Sequence, residues 1–79
     1  MVRLKNLKKN NNLAECDFLP EDSQIPGHMI VDLESGDIIE YTLPEKYEWC
    51  TKHVYHAARN LKKLIKNNEF PNNYLVMWV

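Results

Sequence analysis

Glycine is scarce in this chain, with two among 79 residues, at positions 27 and 36. That excludes the glycine-rich loops that cradle phosphate, which need backbone able to approach a ligand with no Cβ in the way. Cysteine is equally scarce, at Cys16 and Cys50. Two cysteines do not make a disulfide framework, and in a cytoplasmic setting both are expected to stay reduced. No stretch approaches the ~20 consecutive apolar residues of a membrane span. The opening MVRLKNLKKNNN has no apolar run of the kind found in a signal peptide. The expected location is therefore the cytoplasm, with no membrane partner.

Charge of one sign is missing from whole segments. Residues 1–12 hold four Lys/Arg and no acid, and residues 13–45 hold nine Asp/Glu and no Lys or Arg. Residues 46–79 hold six Lys/Arg against two Glu, so a net charge of −1 conceals strong segregation. Such segregation has two readings. A basic helix surface can complement acidic strands within the fold, or it can steer a charged partner.

What the chain does contain is 44% apolar residues, enough for a folded core. At this length a chain buries only about 60–65% of the surface it exposes when unfolded, so the core must be thin. One helix against one sheet fits that limit, often with a partner completing the cover.

The organising stretch is Glu45 to Asn68. Tyr47, Cys50, Val54, Ala57, Ala58, Leu61, Leu64 and Ile65 recur at steps of three and four, and so share a helical face. Lys52, His56, Arg59, Lys63 and Lys66 fall opposite. The spacing predicts an amphipathic helix of about six turns, roughly 33 Å long, opened by Pro44. Glu45 and Glu48 near its start, and Lys62, Lys63 and Lys66 near its end, match the helix dipole.

Upstream, residues 1–12 read as an arm, either a short edge strand over Val2–Leu7 or a loose segment. Leu13 to Leu19 alternates, with Ala14, Cys16 and Phe18 on the buried side. Residues 20–27 make a loop. His28 to Leu43 reads as a β-hairpin turning at Leu33-Glu34-Ser35-Gly36, with Gly36 in a left-handed position. That register pairs Val31 with Ile39 and Met29 with Tyr41. A final strand, Asn73 to Val79, is apolar on both faces and is expected to be central, or covered on its second face. Tyr74, Val76 and Trp78 share one side, and Leu75, Met77 and Val79 the other. The fold class is α+β: one domain, 1–79, with a small, mostly antiparallel sheet in β-β-β-α-β order against one long amphipathic helix.

A strand of seven residues spans ~23 Å. The expected helix therefore overhangs its sheet, and Leu61, Leu64 and Ile65 need a cover. Val2, Leu4 and Leu7 of the arm can supply it, or a second protomer can. The doubly apolar final strand poses the same demand, and self-association is the expectation.

Few residues suggest chemistry. Cys16, His28, Cys50 and His53 match no compact zinc-finger spacing, and both cysteines fall on core faces. Cys50 lies near the helix start with His53 one turn on, where a thiolate is favoured, but no oxyanion donors or third orienting group accompany them. No catalytic residue, metal or cofactor is expected. Trp49, His53 and His56 lie along one helix flank and, with Tyr74, Val76 and Trp78, are the expected partner contacts. The functional expectation is a small non-catalytic interaction module that forms a homo-oligomer or engages a protein partner. The alternative is a nucleic-acid-binding accessory protein using Lys52, Arg59, Lys63 and Lys66.

Overall fold

The structure, a computed structural model, describes residues 1–78. Five strands and one helix follow in the order β1 (Val2–Asn10), β2 (Leu13–Pro20), β3 (Gly27–Asp32), β4 (Ile38–Thr42), α1 (Thr51–Lys66) and β5 (Tyr74–Val76). The strands form one antiparallel sheet in the order β4-β3-β2-β1-β5. The expected α+β architecture is present, with the N-terminal segment added to it as a full strand.

That segment is no loose arm. β1 lies inside the sheet, between β2 and β5. Its weak alternation has a local cause. The β1–β2 register jumps between the pairs Lys5–Asp17 and Lys8–Glu15, so Asn6 and Leu7 together oppose Cys16. Asn6 takes φ +56°, and its side chain donates to the Asp17 carboxylate at 2.8 Å. This β-bulge re-phases the strand, so that Val2, Leu4 and Leu7 all face the core.

The helix is shorter than its periodicity implies. It spans 16 residues, about 24 Å, against about 30 Å for nine-residue β1. The expected start at Pro44 is overturned. Lys46 adopts φ +74°, and two successive turns, Tyr47 N–H to Pro44 O and Cys50 N–H to Tyr47 O, replace the first helical turns. Tertiary contacts hold this shape: the Tyr47 hydroxyl donates to Asp22 at 2.6 Å, and Cys50 is fully buried. Glu45 and Glu48 consequently lie outside the helix, whose first turn contains no acid. Lys63 and Lys66 do occupy the last turn.

The overhang therefore disappears. Leu61, Leu64 and Ile65 are buried within the same chain, in one cluster with Val2, Leu4, Leu7, Phe18, Met29 and Val31. Of the two covers that the sequence allowed, the N-terminal segment is the one used.

The β3–β4 hairpin turns as expected, with Gly36 at φ +82° and the Asp32 carboxylate accepting from Glu34 and Ser35 N–H. Met29 pairs with Tyr41, but Val31 pairs with Ile38 in place of Ile39. A register shift leaves Ile39 as the extra residue, 54% exposed. The final strand is also corrected. It is an edge strand of three residues, paired with β1 through Val2–Val76, Arg3–Leu75 and Leu4–Tyr74. It runs in the same sense as β4, because both are antiparallel to strands that are themselves parallel. Val79, the end of the expected strand, lies outside the described residues.

Candidate functional site

The chain leaves β2 through Pro20 and reverses at Glu21, which takes φ +51°. The turn carries the Glu21 carboxylate over the first turn of α1. There His53 Nε2 lies 2.7 Å from Glu21 Oε2, and the same oxygen accepts from the Met1 amino group at 2.6 Å. The negative charge absent from the helix's own first turn is thus supplied from the β2–β3 loop. Its hydrogen bonds to the Met1 amine, first, and to His53 hold the Glu21 carboxyl below its ordinary pKa. An ionised carboxylate only accepts, so Nε2 carries the proton and donates. Nδ1 of His53 is buried and has no hydrogen-bond partner among the described residues.

Aromatic rings enclose this histidine. Trp49 meets His53 edge-on at 5.6 Å, and Trp78 does so at 4.8 Å. Trp78 also lies flat on His56, with centroids 4.1 Å apart and planes 10° apart. Tyr47 stacks against Trp49 at 6.5 Å. The sequence placed Trp49, His53 and His56 on one region and Tyr74, Val76 and Trp78 on another. The structure joins the two at a single corner, with Trp78 as the link. Their exposures differ sharply. Trp49 is 66% exposed, whereas His53 is buried. Val76 belongs to the core, and Tyr74 packs against it. The open positions beside them are Leu75 and Met77, 51% and 70% exposed.

A second polar cluster occupies the sheet face turned away from the helix. His28 on β3 lies between two carboxylates of β2, with Nδ1 2.7 Å from Asp17 Oδ1 and Nε2 3.2 Å from Glu15 Oε2. The hydrogen bond to Asp17 raises the His28 pKa against the opposing effect of burial, and Glu15 adds to it. For Asp17, burial pushes its pKa upward, but the hydrogen bonds from His28 and Asn6 outweigh it and hold the carboxyl low. Sequence reading missed both Glu21 and this cluster. The outward alternation of Glu15 and Asp17 was visible, but matching them to His28 needs the β2–β3 register, which spans a six-residue loop.

Lys52, Arg59, Lys63 and Lys66 lie on the exposed face of α1. Among the described residues, no lysine or arginine is ion-paired; every ion pair uses a histidine or the Met1 amine. The expected complementarity between basic helix and acidic strands is therefore not how the acids are satisfied. Asp17, Glu21, Asp22 and Asp32 are engaged by His28 and Asn6, by His53, by Tyr47 and by backbone N–H groups respectively.

Neither thiol is activated. Burial, reinforced by Asp17 and Glu15, pushes Cys16 up to about 12. Burial, reinforced by Glu21, raises Cys50 as well, which opposes the thiolate that its place at the helix start suggested. Among the described residues, no group of three His, Cys, Asp or Glu side chains is placed to hold a metal ion. No described helix is long and apolar enough to cross a membrane. Comparison of the chain with family models, with curated proteins and with solved structures finds no match.

Proposed function

We propose that this chain is a small cytoplasmic binding module that self-associates through the β5 edge and the adjoining Trp49 corner, contributing surface and no catalysis. The observation that carries this reading is the character of that edge. Among the described residues β5 has a neighbouring strand on one side only, so its outer backbone groups face away from the sheet. From Phe70 through Val79 no residue is charged. The strand thus lacks the lysine that commonly blunts a sheet edge. Leu75 within it and Met77 just after it are exposed, as is Trp49, which reaches this end of the chain through His53 and Trp78.

A second copy fits this edge for a reason of symmetry. An isologous two-fold contact sets a patch against itself, and here no like charges meet. The opposite edge is less suited. β4 carries Glu40 and follows Asp37, so a two-fold pairing there sets carboxylates against carboxylates.

Light scattering coupled to size exclusion tests the proposal. A mass twice the 9.4 kDa of the chain is expected at high micromolar concentration. Leu75→Arg, on an exposed side chain, is expected to return the monomer mass without unfolding. A monomer mass for the unmodified chain would sink the reading.

A further inference from the structure

We propose that the outer face of α1, together with the groove at its C-terminal end, binds the phosphate backbone of single-stranded nucleic acid. The groove is an open depression of about 860 Å³ between the end of the helix, the β1–β2 hairpin and the β3–β4 turn. Lys9, Lys62, Lys63 and Lys66 line it, with Glu34 the one acid. Lys9 is 53 residues from Lys62 in the chain and reaches this groove only because β1 lies in the sheet. Lys62 is held in place by donating to Gly36 O at 3.0 Å. The side chains of Lys9, Lys63 and Lys66 have no hydrogen-bond or ion-pair partner among the described residues.

Lys52 and Arg59 extend the charge back along the helix, over roughly 21 Å from Lys52 to Lys66. Tyr55, 64% exposed, falls in the same row by helical spacing. Cations interleaved with an exposed aromatic suit a single strand, whose bases can stack on the ring while its phosphates meet the lysines. Of the acid-rich segment, Glu34 lines the groove, and Asp37 and Glu40 share the neighbouring depression with Tyr55 and Lys62, so the unopposed cations are Lys9, Lys63 and Lys66; the other acids stand apart. Glu15 and Asp17 lie on the far face of the sheet, and Glu21 and Asp22 at the other end of the helix. A sheet-to-helix spacing of about 10 Å is one screening length at ordinary salt. The groove itself has no aromatic residue. Recognition is therefore of the backbone, without base sequence.

The test is fluorescence anisotropy with labelled 12-nucleotide DNA, as mixed-sequence single strand and as duplex. The single strand is expected to bind more tightly at low salt. With about four phosphates engaged, log K falls against log salt with a slope of about −3, or roughly 60-fold between 50 and 200 mM. Lys63→Gln and Lys66→Gln, both at exposed positions, are each expected to lower that slope by about 0.7. Lys5→Gln, on the opposite sheet face, is expected to leave it unchanged. No binding at low salt, tighter binding of the duplex, or equal loss from Lys5→Gln would each overturn the proposal. The same titration with Leu75→Arg separates this surface from the β5 edge: binding is expected to persist there whatever the mass of that variant.

Discussion

His28 and Asp17 face each other across adjacent strands, Nδ1 to Oδ1 at 2.7 Å, on the sheet face that the helix leaves open. Their partnership has a defined pH window. The raised pKa of His28 makes its contribution complete below the unfolded value of ~6.5, and lost as pH rises through the folded value. The lowered pKa of Asp17 makes its contribution complete above ~3.9, and lost as pH falls through the folded value. The pair therefore stabilises most between about pH 4 and 6.5. Both side chains are about one-third or more exposed, so the contribution is small, roughly 0.2–1 kcal/mol. Urea unfolding at pH 6 and pH 8 is expected to show this difference in the natural chain and to lose it in His28→Gln.

Gly27 of β3 has no room for a Cβ. A Cβ there would lie 2.3 Å from Thr42 O and 2.8 Å from the Phe18 ring. Gly27→Ala must displace backbone as well as a fully buried aromatic ring. A loss of about 1–3 kcal/mol is expected, measured by denaturant unfolding. Leu61→Ala, which empties a fully buried site under the helix, is expected to lose about 2–5 kcal/mol in the same assay.

Asn6 holds its bulge in a left-handed conformation, φ +56°. Glycine enters that region freely, and β-branched residues do not. Asn6→Gly is expected to retain stability within about 0.5 kcal/mol, although it gives up the Asp17 hydrogen bond. Asn6→Val is expected to destabilise by about 1–3 kcal/mol. Thermal melts of the two variants distinguish the bulge from an ordinary strand position, where valine would be favoured.

Cys16 and Cys50 are both free and fully buried. A thiol reagent at pH 8 is expected to leave the native chain essentially unmodified and to titrate two thiols in denaturant. The held-up pKa of each thiol and its burial act in the same direction, since the thiolate is the reactive form. Rapid modification of Cys50 in the native state would contradict this geometry.

Much of the core was legible in the order of residues alone. Ala14, Cys16 and Phe18 alternate, and Val54, Ala57, Ala58, Leu61, Leu64 and Ile65 recur at helical spacing; all of them are buried. Such periodicities carry information because a side chain's direction follows from its position in a strand or helix. The α+β class, the hairpin turn at Gly36 and the basic last turn of the helix follow from the same local rules.

Long-range contacts decided the remainder. Nothing local prevents a helix from Pro44 onward; the bond from Tyr47 to Asp22 and the burial of Cys50 hold that segment in turns. Nothing local says that Val2–Asn10 joins the sheet, because its bulge hides the alternation. The meeting of Glu21 with His53, of His28 with Asp17, and of Lys9 with Lys62 joins residues 32, 11 and 53 positions apart. A pattern along the chain reports which face a side chain takes. Which distant side chain it meets there depends on strand order and register, and these are set only when the whole core closes.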